Sequence, residues 1–191
     1  MTALFIASVA KKILNSARKV MSMSTIPVFV SCPTNLSEEQ NQKRENIIQI
    51  LENLYLEPRA LGRSDYPTKS PLNEVYSIAR CCRGGVILGF EQLFIKSGRA
   101  KRGIPDQEKG IRDQPIPTPW NNLEAGLLFG LKLPLLVFKE ERIDGGIFDY
   151  GISDIFIHNM PPAQLDEKKI DELNQIFLSW YARVKNKYQA Y

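Results

Sequence analysis

Glu124 is the residue of this chain whose neighbours best fit it for chemistry. It follows Thr118-Pro119, an N-cap residue with proline at the first helical position, so it falls in the second turn of a helix predicted to run to about Leu131. At helical spacing its neighbours are Trp120, Leu127, Leu128 and Leu131, which sets it at or beside an apolar stripe. A carboxylate there loses water, its pKa rises, and it becomes a candidate catalytic group. The plainer alternative is a glutamate on the rim of the stripe, solvated or favoured by the positive end of the helix dipole. Gly126 and Gly130 share this helix, each at a cost of about 1 kcal/mol against alanine, and are expected to let it approach the sheet closely.

Other candidates are scattered along the chain. Ser31 and the backbone at Cys32 end an apolar run and could meet a phosphate or a ribose; Phe90 ends another. Arg63 could pair a diphosphate bidentately, or be a solvated loop charge. Asp65 offers a second carboxyl, although Arg63-Ser64-Asp65-Tyr66-Pro67 is also good turn chemistry. Trp120 either stacks on a base or anchors its helix to the core. His158, the single histidine, is too isolated to read as a base, and without a C-x-x-C pair no metal site is expected. The odd set Cys32, Cys81 and Cys82 suits a reduced, cytoplasmic protein, with Cys81-Cys82 assigned to the core side of a helix.

Positioning these groups falls to an alternation of strands and helices. Ile26–Ser31 is a short β-rich run, continuously apolar like a buried parallel strand. Ser37 and Gln40 form a capping box ahead of a helix to about Leu54. A brief strand near Leu56–Leu61, a turn-rich loop over Gly62–Ser70 and a helix opened by Ser70-Pro71 come next. Val86–Phe90 is the strand expected at or near the sheet centre. Glu91–Pro117 reads as a long polar connection, of a length that is usually functional or mobile. Leu135–Phe138 and Asp154–Ile157 supply the fourth and fifth strands, and a helix from about Gln164 to Lys187 closes the chain, with Ile170, Leu173, Phe177, Trp180 and Val184 as its stripe. The fold class is α/β, a five-stranded parallel sheet with helices on both faces. Ligands of such sheets bind at the carboxyl ends of the strands, which selects Ser31–Asn35, Gly62–Ser70, Phe90 onward and the start of the Thr118 helix.

The 191 residues fit one domain, over 25–191, behind a segment 1–24 that reads as a basic amphipathic helix. The net charge of +4 sits in that segment: Lys11, Lys12, Arg18 and Lys19 precede the first acid, Glu38. The rest of the chain is neutral, which argues against a nucleic-acid partner. No apolar stretch approaches the length of a transmembrane span. Segment 1–24 is acid-free like a transit peptide or a surface-lying membrane helix; a helix docked on the domain, or a start codon read too early given Met21 and Met23, is the simpler account.

Several short motifs, in this order, carry a resemblance. PVFVSCP is similar to the opening strand of Toll/interleukin-1 receptor (TIR) domains, and Arg63-Ser64-Asp65-Tyr66-Pro67 lies where those domains carry the loop after their second strand. Trp120-Asn121-Asn122-Leu123-Glu124 resembles their Trp-x-x-x-Glu, whose glutamate is catalytic in the NAD-cleaving members. Glu124–Val137 (EAGLLFGLKLPLLV) is equally similar to nucleoside 2-deoxyribosyltransferases, where Glu-x-Gly before a Lys/Leu-Pro strand marks the helix of the nucleophile. Both families have a flavodoxin-like sheet, and the resemblance spans about Ile26 to Ile157. Cys32 departs from the usual aromatic, Asn122 from a frequent cysteine, and the Glu91–Pro117 insertion exceeds what either family needs.

The resemblance implies N-glycosidic bond cleavage with Glu124 as the catalytic group, and the strand-end position and chemistry of Ser31, Cys32, Arg63, Asp65, Phe90 and Trp120 make them the candidates around the substrate. NAD would be substrate rather than cofactor, depleted or turned into a nucleotide signal. Its nicotinamide leaves from a cationic pyridinium and needs no general acid, whereas a neutral nucleobase does. One carboxylate, Glu124, therefore fits NAD better than a nucleoside. A deoxyribosyltransferase-like enzyme and a non-catalytic module binding a nucleotide or a protein stay open beside it. A homo-oligomer is also admitted, since TIR-like enzymes often assemble to complete their site.

Overall fold

The computed structural model describes residues 25–62, 70–151, 155 and 157–189. Segment 1–24, Arg63, Asp65 and Asp154 lie outside the described residues. In chain order the elements are β1 (Ile26–Ser31), α1 (Glu38–Asn53), β2 (Leu56–Arg59), α2 (Pro71–Cys81), β3 (Gly85–Gly89), β4 (Leu93–Ala100), β5 (Lys109–Ile116), α3 (Pro119–Gly130), β6 (Leu135–Lys139), β7 (Ile157–Asn159) and α4 (Glu167–Gln189).

Five strands form one parallel sheet in the order β2-β1-β3-β6-β7, with β3 in the centre as expected from its uninterrupted burial. Successive strand residues point to opposite faces, so the sheet builds two cores. Val28, Val30, Val86, Leu88 and Phe90 pack under α1 and α4 against Leu51, Phe177 and Trp180. Phe29, Ile87 and Val137 pack under α2 and α3 against Val75, Ile78 and Leu128. Each such side chain contributes roughly 1.5–3 kcal/mol on leaving water. The capping box of α1 is present, Ser37 and Gln40 each accepting the other's backbone N–H at 3.2 Å.

Several expectations need correction. The close approach of helix to sheet is made by Gly85 of β3, where a Cβ would stand 2.7 Å from Leu128 Cδ1. Gly126 and Gly130 face open space instead, because α3 turns Asn121, Glu124, Ala125 and Leu128 to the sheet. Cys82 is buried but Cys81 is exposed, and Ile170 lies outside the stripe of α4. β7 spans Ile157–Asn159 and shares Ile157 with the expected Asp154–Ile157, whose start at Asp154 lies outside the described residues.

The largest difference is the 91–117 connection, which is a hairpin. β4 and β5 form a separate two-stranded antiparallel sheet. Charged ladders rather than apolar alternation knit it: Lys96 Nζ meets Asp113 Oδ1 at 2.8 Å and Arg99 Nη1 meets Glu108 Oε1 at 2.9 Å. Among the described residues no helix is long and apolar enough to cross a membrane.

Candidate active site

The sheet order reverses at β1, whose neighbours β2 and β3 lead in opposite directions, and the crevice beyond their carboxyl ends is the expected ligand position. Ser31 ends β1 on the same face as Phe29, toward α2 and α3. Thr118 starts α3 by accepting the Trp120 N–H on its Oγ1 at 3.3 Å. Asn121 and Glu124, one turn apart, then face the end of β1.

Three side chains meet there. Asn121 is fully buried and donates from Nδ2 to Ser31 Oγ at 2.7 Å. With its oxygen so occupied, Ser31 directs its own proton to the Glu124 carboxylate. Burial pushes the Glu124 carboxyl up to about 7, and the Ser31 hydrogen bond opposes part of that rise. Asn121 Oδ1 is buried without a hydrogen-bond partner among the described residues. Turned over, the same amide would accept from Ser31, so the trio can satisfy either protonation state of Glu124.

Glu124 opens on a cleft of about 440 Å³. Cys32, Pro33, Thr34 and Asn35 line it after β1, Leu61 and Gly62 after β2, Gln92 after β3, and Thr118 and Trp120 at the start of α3. Among these described residues Glu124 is the one carboxylate. A buried acid that is half-ionised near neutrality can stabilise a developing cation or hand over a proton.

The candidates from the sequence thus separate. Ser31, Cys32, Trp120 and Glu124 are brought together, with Trp120 exposed at the rim rather than anchored in the core. Phe90 is not part of the cleft: strand alternation turns it to the opposite face, where it is fully buried under α1 and α4. Arg63 and Asp65 fall in the loop outside the described residues. His158 is a packing residue, its ring 5.6 Å from Phe138 and its pKa lowered by burial. Among the described residues no cluster of three metal-ligating side chains forms. Asn121 is the member that sequence reasoning missed; its signal was the i, i+3 spacing to Glu124 and the i, i+4 spacing to Ala125.

The loop after β6 braces α3. Ile147 N–H donates to Asn122 Oδ1 at 2.9 Å, and the buried Lys139 ammonium donates to the carbonyls of Ile143 and Phe148 at 2.7 and 3.0 Å.

Among solved structures, the chain is similar to the CMP N-glycosidase BcmB of Clostridium botulinum, with TM-score 0.45, 13% sequence identity, and coverage of 78% of this chain and 98% of that one. No family model matches the chain, and no curated protein matches it.

Proposed function

We propose that this protein cleaves the N-glycosidic bond of NAD with the Glu124 carboxylate beside the anomeric carbon. The observation that carries this reading is the burial of Glu124 where α3 meets the end of β1, facing the cleft and bonded to Ser31. In NAD the ring nitrogen already bears positive charge. The C–N bond can break with its electron pair passing to nicotinamide, no proton is required, and an oxocarbenium-like ribosyl cation remains. A desolvated carboxylate stabilises that cation strongly because little water screens it. Water then adds to the anomeric carbon and loses a proton, giving ADP-ribose. Trp120, exposed at the rim, is available to stack on a base, and Asn35 can hydrogen-bond a ribose hydroxyl.

Release of a neutral base from a nucleoside or nucleotide is the second reading, favoured by the titration of Glu124 near 7, which leaves a protonated fraction to donate to the leaving nitrogen. Chromatography of base released from NAD, CMP and deoxynucleosides between about pH 6 and pH 9 separates the two, since kcat/KM reports the free enzyme's essential groups. The NAD reading expects kcat/KM to rise with pH through about 7 and Glu124→Gln to lower the rate about a hundredfold or more. Full NAD turnover by Glu124→Gln would remove Glu124 from the chemistry. Release from nucleosides or CMP alone, falling as pH rises, would favour the second reading. Binding of nucleotide without cleavage would make the chain a binding module.

A further inference from the structure

Asn121 takes no part in the chemistry assigned to Glu124, yet it is fully buried one turn away and half of its amide is unsatisfied. Nδ2 donates to Ser31 Oγ at 2.7 Å, while Oδ1 has no hydrogen-bond partner among the described residues. An acceptor buried without a donor is unfavourable, and a fold that keeps one calls for a reason. Helix geometry does not supply it. The backbone of Asn121 is set in the first turn of α3, its N–H donating to the Thr118 carbonyl at 3.1 Å, and an apolar side chain would suit that turn equally well.

The proton on Glu124 does supply one. Ser31 is buried between the amide and the carboxylate and has a single hydroxyl proton. With Glu124 ionised, Nδ2 donates to the Ser31 oxygen and the Ser31 proton goes to the carboxylate, which is the arrangement observed. With Glu124 protonated, the carboxyl can donate to the Ser31 oxygen instead. The Ser31 proton is then released and needs an acceptor on the far side. Oδ1 becomes that acceptor after a half-turn of the amide. Such a turn exchanges two groups of nearly equal size about a broad, two-fold torsion, so a fully packed site can hold both states. Hydrogen bonds to a charged acceptor are stronger than those between neutral groups, and a chain of them is self-reinforcing. The donor orientation therefore favours the ionised carboxylate.

No charge competes with Ser31 for control of Glu124. α3 carries no other ionisable side chain. On the elements packed against it, the described titratable groups are the Cys32 thiol just past β1, Lys139 of β6, and Glu74, Tyr76, Arg80 and Cys81 of α2. Lys139 is held by the Ile143 and Phe148 carbonyls, and Arg80 lies over the Tyr76 ring at 5.8 Å. None of them enters the titration of Glu124, which burial raises and Ser31 lowers.

We propose that Asn121 is the positioning residue of this site: its amide holds the Ser31 hydroxyl proton on the Glu124 carboxylate and turns over when that carboxylate takes up a proton. Asn121 is not among the residues that line the cleft, so it acts through Ser31 and not on the substrate. Its effect on rate rests on Glu124 being the group that cleaves the bond, whereas the coupling of the three side chains is measurable without turnover.

Carbon-13 and nitrogen-15 NMR of the full chain between about pH 5 and about pH 9 reads both ends of the chain of hydrogen bonds, with Glu124→Gln assigning the Glu124 carboxyl. The Asn121 side-chain amide should shift with the same midpoint as that carboxyl, about 7, and should stay constant in Ser31→Ala. Asn121→Leu, close in size, should raise the Glu124 midpoint by about half a pH unit or more, a gain in proton affinity of about threefold or more. In the Ser31→Ala background the same replacement should add nothing, because a group acting through Ser31 has nothing left to act on. In base release, Asn121→Leu should move the pH profile the same way with KM within about threefold of the parent. An Asn121 amide that stays constant across this range would overturn the proposal. So would a Glu124 midpoint unmoved or lowered by Asn121→Leu, or an equal shift with and without Ser31. Absence of base release from NAD would sink the reading of the reaction, while the NMR result alone decides the role of Asn121.

Discussion

Replacing Glu124 by glutamine should make the protein more stable, and increasingly so as the pH is raised. The side chain is 9% exposed, and its carboxyl titrates at about 7 in the folded protein against an ordinary value of 4.5. Between those two values the folded chain keeps a proton that the unfolded chain has released. Stability therefore falls as pH rises through that window. At about 1.4 kcal/mol per unit the whole effect is about 3 kcal/mol, negligible below about pH 4 and complete above about pH 8. Glutamine preserves volume and, through Oε1, an acceptor for Ser31, while removing the charge whose desolvation is unfavourable. Urea unfolding of both proteins at about pH 5 and about pH 8.5 is the assay. The gap between them should widen by 2 to 3 kcal/mol on going to the higher pH, a relative midpoint shift of roughly 1 M. An unchanged gap would mean that water reaches the carboxylate freely, and the raised titration point would lose its physical basis. A glutamine variant less stable at every pH would show that Ser31 and Asn121 are organised by the charge itself.

Ser31→Ala removes a hydrogen bond that favours the ionised carboxylate, so the pH profile of base release should move to higher pH; an unmoved profile would separate Ser31 from Glu124. The glycines provide a pair of opposite sign in thermal or urea unfolding. Gly126→Ala, in a helix with open space around it, should stabilise by about 1 kcal/mol. Gly85→Ala, whose Cβ would press on Leu128 at 2.7 Å and Leu135 at 2.9 Å, should cost about 1–3 kcal/mol. Changes of the same sign would contradict the seating of α3 on β3.

What could be read from the sequence, and what could not, follows from the kind of signal each feature leaves. Ser37 with Gln40, and Thr118 with Pro119, announce helix starts through short-range chemistry, and the structure has both helices at those places. Glu124 was legible because its helical neighbours are apolar. The facing of Phe90 was not: β3 is buried on both sides, so its residues do not alternate in polarity and nothing in their order tells one face from the other. The rotation of α3 was blurred for a similar reason, since Trp120, Leu123 and Phe129 are apolar yet exposed. The apolar residues around Glu124 point to a stripe through Trp120, Leu127, Leu128 and Leu131, whereas α3 turns Asn121, Glu124, Ala125 and Leu128 to the sheet. The hairpin is held by cross-strand charges, and one-dimensional reading has no way of telling a charge paired across a turn from a solvated one.

The two feet of that hairpin stand side by side where it leaves the sheet and returns. Gln92 N–H donates to the Ile116 carbonyl at 2.9 Å, and the neighbouring Glu91 N–H is held by Glu140 Oε2 at 2.8 Å. The arm is fastened again farther out: Gln114 Nε2 donates to the Arg142 carbonyl at 2.9 Å and to Asp144 Oδ1 at 3.0 Å, and Arg142 Nη2 donates to the carbonyls of Arg112 and Asp113, so the loop after β6 holds β5 from Arg112 to Gln114. Because closing a longer loop costs only about 0.6 kcal/mol per doubling, material could be added or trimmed at the tip between β4 and β5, beyond these fastenings, without disturbing strand order. Gln92, standing at the foot and at the cleft alike, is where a change in the arm would first be felt by whatever occupies the cleft.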